Sequence, residues 1–310
     1  MLHDGEGVPE DKKEAAKYFK MSADKGNTDA MFIYGVILHN GDGVEVDNEN
    51  SIKYLKSGAD GGDLNAMVNY GILLRNGDGV AEDKKEAARY FKMAADKGES
   101  NAMYLYATML HDGEGVAANL KEAAKYMKMG ADKDNVDAMF VYGVMLRRGD
   151  GVPSDKKEAL KYLKMAADKE NADAMLIYGI MHSNGEGTSV DKKTAAEYLK
   201  KSADKGNSSA MVSYGVMVRT GDGIPADKRE ALSYFKKAAE LGQPDAMLSI
   251  GLMLYEGDGV QIDRKKAAHF FKNAASKGSS NAMFMYGMML RDGDAVNQDM
   301  KKAFFYFKKA

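Results

Sequence analysis

Gly-Asp-Gly-Val at Gly41 to Val44 returns at Gly77, Gly149 and Gly257, and near-copies fill the slots between, so one pattern recurs every 36 residues from Gly5 to Gly293. There are nine copies and no insertions. A unit this short cannot bury its own apolar face, so a period of about 20 to 50 residues dictates a solenoid whose units stack on one another. The other columns supply the stacking surface. Alanine stands at Ala30, Ala66, Ala102, Ala138, Ala174, Ala210, Ala246 and Ala282, each followed by methionine, then by the Tyr34, Gly35 and Leu38 columns and the glycine turn.

One repeat reads as two helices. Helix A begins after Asn27, which can cap its first turn, and Pro244 sits where a first helical position tolerates proline. Ala30, Tyr34 and Leu38 fall four residues apart, with Met31 and Ile37 beside them, and form one packing stripe. The two glycines of the turn permit the positive φ a sharp reversal needs. Helix B then starts at Asp11, Asp47, Asp83, Asn119 and their equivalents, several of them followed three residues later by Glu in the pattern of a capping box. Ala15, Tyr18, Phe19, Ser22 and Ala23 make its apolar stripe, while Lys12, Lys13, Lys84, Lys85, Lys156 and Lys157 read as a solvated face. Gly26 and its equivalents stop it. Glycine inside helix A, as at Gly35 and Gly71, costs about 0.5 to 1 kcal/mol relative to alanine, so it predicts a close approach to helix B at the Ala15 or Ala23 column.

With 310 residues, 44 basic against 46 acidic side chains and a net charge of -2, no field draws the chain to nucleic acid or to an anionic membrane. Cysteine is absent, which excludes a disulfide framework and thiol catalysis and favours a reducing compartment. No apolar run is long enough to span a membrane, and Met1 to Lys13 lacks a signal-peptide core, so the expected location is cytoplasmic.

A unit reading Ala-Met-x-x-Tyr-Gly-x-x-Leu-x-x-Gly-Asp-Gly-Val-x-x-Asp-x-Lys-x-Ala-x-x-Tyr and closing on Ala-Asp-Lys-Gly closely resembles the Sel-one-like repeat, a relative of the tetratricopeptide repeat. The resemblance implies an all-α fold, a right-handed α-solenoid of antiparallel helix pairs with about 8.5 repeats of 36 residues. Residues 1–310 then form one solenoid: a partial repeat 1–26, full repeats 27–62, 63–98, 99–134, 135–170, 171–206, 207–242 and 243–278, and an incomplete repeat 279–310. It also implies a scaffold or adaptor rather than an enzyme. A cysteine-rich secreted branch is associated with antibiotic binding or hydrolysis, but its paired cysteines are missing here. Met1 to Val8 matches Met109 to Val116, the end of a helix A, and Phe304 to Phe307 form an aromatic cluster where another helix A would pack, so a fragment of a longer chain is expected. Self-association through open ends, or a membrane-contacting end, is the alternative.

In tetratricopeptide relatives helix A builds the inner wall, which maps Asp29, Phe32, Val36, His39 and Asn40 onto the concave face. Helical geometry agrees, because at about 100° per residue these five cluster opposite the Ala30 and Tyr34 stripe. The candidate partner-binding residues are Phe32, Val36, His39, Val68, Arg75, Tyr104, His111, Phe140, Arg147, Arg148, Leu176, Arg219, Leu248, Tyr255, Phe284 and Arg291. Their apolar columns and arginine ladder suit a protein or peptide of acidic-hydrophobic character. The competing expectation is that each arginine pairs with its own turn, as Arg75 with Asp78, and that neighbouring A helices cover part of the apolar columns.

No cofactor, metal or catalytic constellation is expected. The acids Glu6, Asp42, Asp78, Glu114, Asp150, Glu186, Asp222, Asp258 and Asp294 stand one per repeat, too far apart for the six to eight oxygens of calcium, and read as turn acids bonded to backbone amides. His3, His39 and His111 are whole repeats apart, and His182, in an otherwise apolar column, reads as satisfied or partly exposed. The turn lacks the Gly-Lys-Ser/Thr ending of a phosphate loop, and no Gly-x-Ser-x-Gly elbow occurs.

Overall fold

A computed structural model describes residues 10–310, which form seventeen α-helices and no strand. Two compact units divide between Asp155 and Lys156. The first holds α1 (Lys12–Ala23), α2 (Thr28–Asn40), α3 (Asn48–Gly61), α4 (Leu64–Asn76), α5 (Lys84–Asp96), α6 (Ser100–Asp112), α7 (Leu120–Asp132) and α8 (Val136–Arg148). The second holds α9 (Lys156–Asp168), α10 (Ala172–Asn184), α11 (Lys192–Asp204), α12 (Ser208–Thr220), α13 (Lys228–Glu240), α14 (Pro244–Glu256), α15 (Arg264–Ser276), α16 (Ser280–Asp292) and α17 (Met300–Lys309). Even-numbered helices are helix A and odd-numbered ones helix B. Within each unit every helix packs on the next in chain order. The first copy of the turn, with His3, Gly5 and Glu6, and the Met1 to Val8 match lie outside the described residues.

Local chemistry sets the boundaries. Helix A is capped by Asn27, whose side chain accepts from the Ala30 amide at 2.8 Å, and Asn135 and Asn171 repeat the bond. Pro244 opens α14 as expected. Gly41 and Gly43 take φ of 77° and 74°, and Ala295 enters the same left-handed region in the last turn. Asp11, Asp83 and Asn119 cap helix B by accepting from the amide three residues on. The reciprocal half of the expected capping box is replaced, because the cap residue's own amide already donates elsewhere: Asp47 N–H to the Leu38 carbonyl at 2.9 Å and Asp83 N–H to the Leu74 carbonyl at 2.9 Å. That bond closes the turn between helix A and helix B. At the end of helix B, Asp134 and Glu170 occupy the left-handed position that glycine takes elsewhere.

The helical glycines answer to a different column from the one expected. A Cβ on Gly71 would lie 2.6 Å from Cε1 of Phe91, and one on Gly35 would lie 2.8 Å from Cγ of Leu55. The Ala15 column contributes polar contacts rather than an apolar one at Ser51, whose carbonyl lies 3.2 Å from that Gly35 position and whose hydroxyl donates to the Gly35 carbonyl at 2.7 Å. Helix A therefore lies flat against a large side chain of helix B, because a ring or isobutyl group fills the space a methyl would need. Ala107 departs from glycine where Met127, a flexible side chain, holds the Leu55 and Phe91 column. Both residues are buried.

A tyrosine from each helix of a pair completes the packing. Tyr34 meets Tyr54 edge to face with ring centroids 4.9 Å apart, and Tyr70–Tyr90, Tyr106–Tyr126 and Tyr214–Tyr234 repeat the arrangement. The helix B tyrosine then reaches back one repeat: the Tyr90 hydroxyl donates to Asp60 at 2.5 Å, Tyr126 to Asp96 at 2.6 Å and Tyr234 to Asp204 at 2.7 Å. Burial and the Asp96 bond push the Tyr126 phenol up to about 12. It therefore stays a donor under physiological conditions.

Candidate partner-binding face

The turn of most repeats rests on the start of the preceding helix B. A Cβ on Gly115 would fall 2.1 Å from the Lys84 carbonyl oxygen, and one on Gly151 would fall 2.1 Å from that of Leu120. This closeness carries the turn acid to the first helical residue of that helix. Lys84 approaches Glu114 at 3.3 Å, Lys192 approaches Asp222 at 2.8 Å, Lys228 approaches Asp258 at 2.5 Å and Arg264 approaches Asp294 at 3.1 Å. Lys12 and Lys156 do the same with Asp42 and Glu186, both at 3.5 Å. These lysines are therefore more than a solvated face. These six turn acids accept from side-chain cations rather than from the backbone amides expected, because the close-packed turn puts ammonium and guanidinium groups within reach.

The ladder residues converge on the same acids from helix A. Arg75 donates through Nε to Glu114 at 2.9 Å and Arg219 donates through Nε to Asp258 at 2.6 Å, each reaching the turn of the following repeat. The expected pairing of Arg75 with its own Asp78 does not form. The Tyr255 hydroxyl donates to Asp294 at 2.9 Å, and Ser183 accepts from Lys192 at 3.0 Å. Hydrogen bonds from Arg75 and then Lys84 hold the Glu114 carboxyl below its ordinary range, and Lys228 followed by Arg219 does so for Asp258. Arg291 turns to its neighbour Asp292 at 2.7 Å, and His111 lies 2.6 Å from Asp112. Arg147 is half-buried and engaged, whereas His39 and Arg148 are exposed.

The apolar columns of helix A sit at the boundary between core and surface. Phe32, Val36, Tyr104, Phe140, Leu176 and Leu248 are half-buried, Val68 is buried, and Phe284 is 50% exposed. Leu176, Ile180 and Val212 pack one edge against the core of the second unit, and Leu248 packs against the cluster around Phe271. Burial, with Asp137 nearby, pushes the Tyr104 phenol up. Neighbouring helices thus cover part of each column and leave the rest open.

Two expectations need amending on particular residues. His182 is half-buried 4.5 Å from the Tyr178 ring, and its Nδ1 is buried without a partner. Burial of this polar ring in the Leu38 column lowers its pKa, against the opposing charge of Asp191. Of the terminal aromatics, Phe304 and Phe305 are exposed but Tyr306 and Phe307 turn inward, Phe307 covering Gly287. The inter-repeat tyrosine bonds and the acid clasps escaped the sequence reading. Spacings of 30 and 39 residues between donor and acceptor columns carried them.

A family description of the Sel1 repeat matches the chain from end to end, at residues 1–27, 28–63, 64–99, 100–135, 136–171, 172–207, 208–243, 244–279 and 280–310. The chain belongs to the Sel1 repeat family. Sel1 repeat proteins are generally scaffolds for protein interaction, and their fold is typically non-enzymatic. Among solved structures, the chain resembles c5321, a protective antigen of uropathogenic Escherichia coli with this fold. The identity is 25% and the TM-score 0.81, over 99% of this chain and 74% of that one. It also resembles a Sel1 repeat protein from Oxalobacter formigenes, at 26% identity and a TM-score of 0.72, over 94% of this chain and 85% of that one. No curated protein matches it in sequence. Among the described residues no helix is long and apolar enough to cross a membrane, and no cluster of His, Asp or Glu could hold a metal ion.

Proposed function

We propose that this Sel1 repeat chain is an interaction scaffold that takes a protein or peptide partner on the outward face of helix A within each unit. One observation carries the reading: apolar side chains recur at the Phe32 and Val36 positions of successive A helices, Thr108 excepted, and all but the buried Val68 are left half open or exposed. Such a repeated, partly exposed apolar stripe suits a partner with apolar anchors. The acidic part of the expected partner chemistry falls to the exposed Arg148, because Arg75 and Arg219 already hold the turn of the following repeat, Arg147 is engaged and Arg291 pairs with Asp292. A reversal of Arg219 therefore perturbs a repeat junction as well as a surface.

The test is quantitative pull-down from lysate of the source organism, comparing the intact chain with Tyr104→Ser, Phe140→Ser and a Lys125→Glu control on helix B. Loss of the captured partner in the two helix A variants, with helicity and the control unchanged, supports the reading. Retention in both, or loss only in the control, overturns it. The exposed Phe304 and Phe305 favour a second reading, self-association through the aromatic end.

A further inference from the structure

We propose that the junction between α2, α3 and α4 is a receptor pocket for a lysine side chain of the bound polypeptide, with Asp78 as its counter-ion. The idea rests on the partner reading only for the source of that lysine. A cavity of about 530 Å³ opens here, with Val36, Ile52 and Ile72 in its apolar part and Asn48, Asn69 and Asp78 among its polar groups. Its lining holds one carboxylate and no lysine or arginine.

Two substitutions create it. The first helical residue of helix B, a lysine at Lys12, Lys84, Lys156, Lys192 and Lys228, is Asn48 here, and the ladder residue that is arginine at Arg75 and Arg219 is His39. Among the described residues, Asp78 consequently has no cation at ion-pair distance, and its side chain accepts from the neutral Asn76 amide at 3.2 Å. The turn also stands off from the helix below it. A Cβ on Gly79 would meet only the tip of Ile52, at 2.8 Å, whereas the equivalent positions at Gly43 and Gly115 press on the Lys12 and Lys84 backbones. Asp150 likewise has neither lysine nor arginine at these positions, which hold His111 and Leu120, but there Leu120 packs against Gly151.

The other junctions show what fits the gap: an ammonium on a turn acid, as Lys84 stands to Glu114, and a lysine carries its ammonium on an aliphatic stem suited to apolar surface. A partner's lysine would restore the clasp that the chain's own sequence omits. Its stem matches the Val36 and Ile72 floor and its three donors match Asp78 and the amide oxygens of Asn48 and Asn69.

Capped lysine (N-acetyl-lysine methylamide) titrated into the intact chain, with norleucine in the same capped form as the uncharged isostere, reads the pocket through the amide NMR signals of Asn48, Asn69 and Gly79. Saturable shifts with lysine, weakened about fivefold in Asp78→Asn and in Asn48→Lys, are expected. Equal responses to the two probes, or binding unchanged in both variants, overturn the pocket even where the helix A variants still lose their partner. Partner capture unchanged by Asp78→Asn overturns the polypeptide source of the lysine.

Discussion

Gly71→Ala tests how helix A and helix B are held together. The added methyl would stand 2.6 Å from Cε1 and 3.0 Å from Cδ1 of Phe91, whereas carbon atoms rest at about 3.5 to 4.0 Å. Phe91 is fully buried, so its ring has nowhere to retreat. Overpacking of this kind costs about 1 to 3 kcal/mol, and the helical gain of alanine over glycine returns about 0.5 to 1 kcal/mol. The net expectation is a loss of about 1 kcal/mol, within bounds of about 0 to 2.5 kcal/mol. Phe91→Met in the Gly71→Ala background should recover most of it, since the chain itself carries that combination at Ala107 and Met127. Urea unfolding followed by far-UV circular dichroism, fitted with nearest-neighbour coupling between repeats, gives the double-mutant cycle. Additivity of the two changes to within about 0.5 kcal/mol, or a stabilising Gly71→Ala, would refute the close-approach reasoning.

Arg219→Met should lower stability by about 1 kcal/mol, and its effect should shrink in an Asp258→Asn background, read by the same unfolding assay; an undiminished effect contradicts the clasp. His182→Leu should stabilise the chain by about 1 kcal/mol at neutral pH by removing the unpartnered Nδ1. Because the folded pKa of His182 is lowered, the unfolded chain binds the proton more readily. The histidine chain is thus at full stability above the ordinary value near 6.5 and loses it as pH falls through the lower folded value. The stabilisation by leucine should therefore grow between pH 7 and pH 5, and a benefit independent of pH, in melting curves across that range, opposes the assignment. Phe304→Ser with Phe305→Ser should abolish any concentration-dependent light scattering of the intact chain; scattering that persists removes the aromatic end as its cause.

The fold was legible because its determinants are local and repeated. The Gly41 turn, the Asn27 cap and the Ala30 stripe each act within a few residues, and the structure places each as read. What stayed hidden lies between repeats. Arg75 sits three residues from Asp78 in sequence yet pairs with Glu114, because the turn presses onto the helix before it and brings a distant acid nearer than the local one. The Gly71 column pointed to a close approach, but which helix B side chain fills the gap depends on the crossing of two helices, and that side chain is Phe91 rather than an alanine. Partial cover of Leu176 and Leu248 likewise follows from packing that periodicity does not encode.

The chain contains no cysteine, so a single cysteine can be placed at will and its alkylation measured with the partner bound. Asp137→Cys puts the probe on the exposed surface of α8, a helix A, and Lys125→Cys puts it on α7, a helix B. The account predicts that the partner slows alkylation at position 137 and leaves position 125 unchanged. Protection at 125 with free reaction at 137 would contradict it.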